Sequence, residues 1–430
     1  MTPANSTDIL SSGPKSRPNW ALALLFLTIA INILDRQIVN ILAQDIKTEL
    51  DISDGQLGLL TGTAFGIFYA ILGVPLGRLA DRMDRVRLIG ICLVVWSVFT
   101  AAASLARNFT ELALARIGVG AGEAGCVPAS VALVSDIFPV ERRTSAISLM
   151  MFGMPVGTFA GLLFGGMMGE SFGWRTALLV AGIPGLLLAV IFVATVSDPR
   201  SSRLAASAAP MAAATPIAGA ARTLSQRPGY SWLVLGMTAS MLIGAVTAAW
   251  LPAFFIRVHD FSVGEMGGYA AISIGVGGGI GTLCAGIICD VLRPRVRDVE
   301  AKVVMTSLLI CIPALLLTIF SPEPFVALAA MFVLNVAAFS YLAPTAALIQ
   351  KAATEDTRSL ALALGISFGN IISLGLAIPL VGVLSDLLAP QLGNSSIGYA
   401  LLMATLVALV GAFAHWRALQ ALRTADPVLM

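Results

Sequence analysis

The feature that most limits what this chain can become is a run of about 20 mainly apolar residues that recurs, between short polar breaks, along nearly its whole length. At about 1.5 Å of rise per residue, one such helical run crosses a hydrocarbon layer of roughly 30 Å. Twelve runs are read, near 20–43, 56–77, 86–106, 109–135, 143–169, 174–196, 230–257, 264–290, 300–320, 324–350, 359–388 and 397–420. They are continuous rather than alternating and rich in Leu, Ala, Gly and Ile, which predicts helices and argues against barrel strands. With 57% hydrophobic and 12% charged residues, the chain lies far from the balance of a water-soluble domain. The first run follows Lys15 and Arg17 but is too long for the core of a signal peptide and runs into Asp35, Arg36 and Gln37. It is expected to stay as the first span.

The net charge of +2 gives no electrostatic case for a nucleic-acid partner. Its distribution says more. With the amino terminus inside, the even-numbered connections hold Arg78, Arg82, Arg85, Arg87, Arg142, Arg143, Arg200, Arg293, Arg295, Arg297, Lys351 and Arg358, among others. The odd-numbered ones hold Lys47, Arg107, Arg175 and Arg257. This bias predicts a multi-pass protein of the cell (inner) membrane with both termini in the cytoplasm. The five cysteines show neither CxxC pairing nor ligand spacing, so no metal or cofactor is expected. His259 and His415 are the only histidines, and neither HExxH nor GxSxG occurs, which argues against a membrane-embedded enzyme.

Residues 197–229 interrupt the pattern with Ser, Ala, Pro and Arg, the make-up of a flexible connection. The chain is read as an amino-terminal six-helix half (1–196), a cytoplasmic linker (197–229) and a carboxyl-terminal six-helix half (230–430). The halves repeat weakly: Gly77 to Asp81 after the second span is echoed by Gly286 to Asp290 after the eighth, and Arg143-Thr-Ser-Ala by Arg358-Ser-Leu-Ala. An all-α membrane protein of twelve helices in two pseudo-symmetric halves is similar in plan to the major facilitator transporters, in which parallel repeats surround a site near the membrane midplane.

The stretch Gly77, Arg78, Leu79, Ala80, Asp81, Arg82, Met83, Asp84, Arg85 resembles the signature of that superfamily, with Asp84 in place of the usual glycine. A glycine lets helices approach closely, and a carboxylate among arginines at a helix end can latch one conformation. Gly77, Asp81, Arg82 and Arg85 are therefore read as gating residues.

Four ionisable residues are expected inside the hydrocarbon region: Asp35 and Arg36 in the first span, Arg116 and Glu123 in the fourth. Buried charge is expensive there unless paired or wet, so each is a functional candidate. Asn32, Asp35, Arg36 and Asn40 are spaced to share one helical face, as are Arg116, Gly120 and Glu123. Depth along the helices predicts that Asp35 pairs with Arg116 or Arg36, and that the deeper Glu123 faces the central cavity as a protonatable carboxylate. The carboxyl half has no matching charge at that depth. Tyr341 and Asn370 are its substrate-binding candidates, with Trp250, Phe254, Phe332 and Phe339 as apolar wall.

Ile31 to Arg36, Arg116 to Ala124 and Phe138 to Arg143 resemble the Spinster-type branch of the superfamily, most strongly over residues 20–200. That resemblance implies proton-linked movement of a sphingolipid, lysophospholipid or similar amphiphile. It implies Asp35 and Glu123 as proton-coupling carboxylates, with Arg36 and Arg116 contacting an anionic headgroup, while Asn32 is read as substrate-binding from its place on the cavity-lining face of the first span. The expected partners are a small-molecule or lipid substrate, protons and the bilayer, with the protein a monomer. The alternative is a small organic anion or drug carried by the same fold.

Overall fold

The computed structural model describes residues 17–200, 222–353 and 357–425. Lys15 and most of the expected 197–229 linker lie outside them. Every regular element among the described residues is a helix, and ten helical stretches are long and apolar enough to span a membrane. Two of these, Val140–Thr195 and Leu360–Thr424, have 56 and 65 residues. Each far exceeds a single crossing of about 30 Å at about 1.5 Å per residue. The first turns back at Gly173 (φ 78°, ψ 160°), the second at Gly393 (φ 54°). These are backbone conformations that a Cβ would strain, so glycine makes both reversals. The chain therefore makes twelve passes, and the first is Pro18–Ile41.

Local chemistry sets the helix ends. Ser53 and Gln56 form a reciprocal capping box where the second span begins, and Ser262 and Glu265 form the same box at the start of the eighth, 209 residues on. Asn108 accepts the Glu111 N–H at 3.0 Å and so caps the fourth span, which gives the Asn108-Phe-Thr110 sequence a structural reason. The repeat also reaches the ion pairs, with its sign inverted. Arg85 at the start of the third span meets Asp136 at the end of the fourth, whereas 215 residues later Glu300 meets Lys351.

Small residues decide how closely the helices approach. Along the fifth span, a Cβ on Gly153, Gly157 or Gly161 would fall within 2.6, 2.2 and 2.8 Å of the carbonyl oxygens of Phe26, Ala30 and Leu34 in the first span. This glycine run is a packing seam. Gly157→Ala is expected to lower stability by about 1–3 kcal/mol, since the new methyl meets backbone rather than a mobile side chain. Gly279→Ala, whose Cβ would have only Pro155 Cβ at 3.9 Å, is expected to leave it unchanged. Thermal unfolding of the purified variants in detergent reads the difference.

The same geometry describes the seam between the halves. On the face away from the arginine-rich connections, a Cβ on Gly58 would lie 2.6 Å from Pro379 Cα, and one on Gly382 would lie 2.2 Å from the Asp54 carbonyl oxygen, so the second and eleventh spans nearly touch. Gly166 and Gly267 bring the fifth and eighth together in the same way. Toward the arginine-rich face the second span leaves its partner: among the described residues a Cβ on Gly77 would meet only Pro128 of its own half, at 3.9 Å, and one on Gly286 of the eighth span would meet nothing within 4 Å. The halves close on one face and diverge toward the other.

Candidate substrate and proton site

The charged residues expected in the first and fourth spans do meet, though not as depth alone predicts. Arg36 Nε donates to Glu123 Oε2 at 2.7 Å, and Arg36 Nη2 donates to Asn32 Oδ1 at 3.2 Å, one helical turn back. Asp35 forms no ion pair among the described residues. Its Oδ2 accepts from Thr100 Oγ1 of the third span at 3.2 Å, and its Oδ1 has no hydrogen-bond partner. The expected pairing of Asp35 with Arg116 or Arg36 is thereby corrected. Neighbouring residues on a helix point about 100° apart. Asp35 thus faces the third span, while the long Arg36 side chain reaches the deeper Glu123. Reckoning depth from Cα positions ignores that reach.

Aromatic rings of the second span complete the cluster. The Arg36 guanidinium lies 4.5 Å from the ring centres of both Phe65 and Tyr69, and that of Arg116 lies 5.2 Å from Phe65. Such stacking holds a weakly hydrated cation where water is scarce. Glycines allow the closeness: a Cβ on Gly120 would fall 2.5 Å from the Phe65 carbonyl oxygen, and one on Gly122 would fall 2.7 Å from Trp96 N. The fourth span is broken at Ala124 and Gly125, just beyond Glu123 and before Pro128.

Burial separates the roles. The Glu123 side chain is 0% exposed, and Asn32, Asp35 and Arg116 are also buried, whereas the Arg36 side chain keeps 22% of its surface accessible. Several polar atoms of the cluster have no hydrogen-bond partner among the described residues: Glu123 Oε1, Asp35 Oδ1, Asn32 Nδ2 and Arg116 Nε. A buried charge cluster with spare donors and acceptors and one accessible cation can bind an anion through Arg36 and hold a proton behind it.

The carboxyl-half candidates stand apart. Tyr341 and Asn370 are half-buried, and their side chains form no hydrogen bond with a described residue, while the Tyr341 carbonyl accepts the Thr345 N–H at 2.9 Å. Trp250 and Phe254, expected in a cavity wall, are 1% exposed and belong to the packed core, with Trp250 Nε1 donating to the Ile378 carbonyl at 3.0 Å. Both lie on the seventh span, which other helices surround on nearly every side. Phe332 and Phe339 are half-buried against Gly277 and Gly278. Asn335 donates to Ser273 at 3.0 Å and ties the tenth span to the eighth.

Of the gating residues, Arg85 is buried and bound within its own half. It pairs with Asp136 and donates to the Ala132 carbonyl at 2.9 Å, while its backbone N–H donates to Asp198. Arg82 is exposed, and the side chain of Asp81 lies outside the described residues. Sequence reasoning missed a second constellation, on the closed face, where Lys47, Asp54, Arg257 and Asp386 join the halves. A signal for it existed, because Lys47 and Arg257 are two of the four cations on the basic-poor connections.

The sequence profile of the Major Facilitator Superfamily matches residues 25–376. An "MFS-type efflux pump" of Mycolicibacterium smegmatis is 32% identical over 405 residues, covering 94% of this chain and 93% of that protein. A "Probable L-galactonate transporter" of Escherichia coli is 25% identical over 79% of this chain and 78% of its own length. "Protein spinster homolog 1" of Bos taurus is 31% identical over 58% of this chain and 47% of its own length. Among solved structures, an inward-facing, unoccupied bacterial homolog of the human lysosomal transporter Spinster superposes with a TM-score of 0.83. It covers 96% of this chain and 99% of that one at 24% identity, a likeness of fold. A profile match over residues 25–376 and a relative 32% identical over nearly the whole of both chains, together with twelve passes in two repeated halves, show that the chain belongs to the Major Facilitator Superfamily.

Proposed function

We propose that this chain is a proton-coupled secondary transporter that carries an amphipathic organic anion of the sphingolipid or lysophospholipid class by alternating access. One observation carries the reading: the accessible Arg36 holds the fully buried Glu123 at 2.7 Å, and Glu123 keeps one oxygen free. An anion arriving at Arg36 competes with Glu123 for the same guanidinium. A carboxylate left unpaired in a buried site is neutralised by a proton rather than left charged. Substrate and proton therefore favour each other's binding, and linkage makes the effect reciprocal. In this scheme Asp35 and Glu123 are the coupling carboxylates, Arg36, Arg116 and Asn32 contact the anionic group, and Tyr341 and Asn370 contact the substrate from the other half. Gly77, Asp81, Arg82 and Arg85 govern closure of the diverging face. We further propose that the arginine-rich face is cytoplasmic, with both termini on it, in the cell membrane, and that one chain is the working unit.

A second reading, a small polar organic acid, is favoured by two observations. Relatives matched over most of this chain include those named for L-galactonate and for galactarate and D-glucarate, and Trp250 and Phe254 are not free to receive an acyl chain.

The test is reconstitution into liposomes enclosing a pH-sensitive dye, with phosphorylated sphingoid lipids, anionic lysophospholipids or sugar acids added in turn. Proton flux that depends on one class, and vanishes in Asp35→Asn or Glu123→Gln, is the expected result and names the class. Movement of a sugar acid without any response to lipid would replace the first reading by the second.

A further inference from the structure

On the closed face, Arg257 at the end of the seventh span donates through Nη1 and Nη2 to the two carboxylate oxygens of Asp54, at 2.8 and 2.7 Å. Its Nε donates to Gln44 at 2.6 Å. Asp54 opens the second span, so these bonds run between the halves. They are shielded: the side chains of Asp54 and Arg257 are 3% and 9% exposed. Ser385 of the eleventh span adds a bond to Asp54 Oδ2 at 2.7 Å. Its neighbour Asp386 accepts the backbone N–H groups of Asp54 and Gly55 at 2.8 and 2.7 Å, placing a carboxylate from the carboxyl half on the N-terminus of an amino-half helix.

Two details separate this arrangement from a static bridge. Asp54 has a second cation, Lys47, which belongs to its own half and pairs with Asp54 Oδ1. The helix that Asp54 begins also has its own cap, because Ser53 and Gln56 satisfy each other's backbone N–H groups without help from the other half. When the halves part at this face, Arg257, Ser385 and Asp386 leave together. Asp54 still has Lys47, and the helix start still has its capping box.

We propose that Asp54 is the exchange acceptor of the outer gate: Arg257 of the carboxyl half holds it when the gate is shut, and Lys47 of its own half keeps it paired when the gate opens. The proposal rests on the alternating-access part of the function above and on neither its substrate nor its proton. Two cations on one carboxylate then pull in opposite directions. Arg257 makes contact only in the shut state, so losing it favours opening. Lys47 is one cation of two in the shut state and the sole one in the open state, so losing it harms the open state more. Among the described residues no hydrogen bond or ion pair links the gate residues to the Arg36 cluster, and in this proposal they position the halves without touching substrate.

The experiment measures distances between spin labels placed across the outer rim at Thr48→Cys and Gln391→Cys, both exposed, in the full chain carrying Cys284→Ser and reconstituted in nanodiscs without substrate or pH gradient. Arg257→Gln is expected to raise the open-to-shut ratio by at least about thirtyfold, the lower end of the scale for truncating one partner of a buried hydrogen-bonded charge pair. Arg257→Lys, which keeps charge but loses the two-pronged contact, is expected to raise it less and to populate both states. Lys47→Gln, read in the wild-type chain and in the Arg257→Lys background, is expected to lower it. An unchanged distribution in Arg257→Gln would overturn the gate. A shift toward opening in Lys47→Gln with Arg257 present would overturn the exchange and leave Lys47 as part of the shut lock. Because no transport is measured, a failed substrate or proton assignment leaves this result readable.

Discussion

Arg36→Ala is expected to reduce transport by at least about 100-fold and to destabilise the protein in a way that depends on pH. The substitution removes the accessible cation of the site, its 2.7 Å bond to Glu123 and its stacking on Phe65 and Tyr69. What remains is a fully buried carboxylate without its partner. Breaking a buried pair from one side typically costs about 3–5 kcal/mol, because the surviving charge is uncompensated. That penalty applies to the ionised form, so the stability deficit of Arg36→Ala should be largest at high pH and shrink as Glu123 takes up a proton. Adding Glu123→Gln to Arg36→Ala removes the stranded charge and is expected to recover much of the lost stability, but not transport. Thermal unfolding across pH, for the wild-type chain, the two single variants and the double, gives the coupling between the two residues. A deficit in Arg36→Ala that is flat with pH and unrelieved by Glu123→Gln would mean that stacking on Phe65 and Tyr69, rather than the ion pair, holds Arg36.

The fold was legible because hydrocarbon leaves a chain few options: runs of about 20 apolar residues must be helices with internally paired backbone. Even the pseudo-repeat could be read, from Gly77 and Gly286 and from Arg143 and Arg358. The charged cluster was legible as a set, since Asp35, Arg36, Arg116 and Glu123 stand out against an apolar background. Its wiring was not, because periodicity gives the face of a helix and says little about how far a side chain extends. Hence Arg36 reaches Glu123, and Asp35 turns to Thr100 instead. Trp250 and Phe254 were misplaced for a related reason: apolar residues of a spanning helix look alike whether they meet lipid, cavity or core, and only packing separates them. The closed-face constellation was missed because it is built across the halves, from residues more than 200 apart in sequence. Yet the charge bias pointed toward it. Cations on the basic-poor face stand against the orientation rule and so require a reason, which Asp54 supplies for Lys47 and Arg257, and Glu49 for Arg175.

Glu123→Gln is expected to abolish accumulation driven by a pH gradient while leaving substrate exchange between the two sides of the membrane measurable. Glutamine keeps the shape of the protonated acid and can still accept from Arg36, so the site survives in a form that resembles one permanently bound proton. Without a carboxylate to charge, however, moving the substrate no longer requires moving a proton, and the gradient loses its hold on the cycle. Arg36 is then free of an ionic competitor, so an anionic substrate should bind more tightly to Glu123→Gln than to the wild-type chain at neutral pH. The affinity should also lose most of its pH dependence. Counterflow of labelled substrate, measured beside uptake driven by an imposed gradient, separates these effects. Retained exchange with gradient-driven uptake reduced by about tenfold or more is the expected pattern for a general acid–base group removed from its task. Gradient-driven uptake with wild-type pH dependence would take Glu123 out of the coupling role. The proton would then pass to Asp35, whose free Oδ1 is the other unpartnered carboxylate oxygen of the cluster.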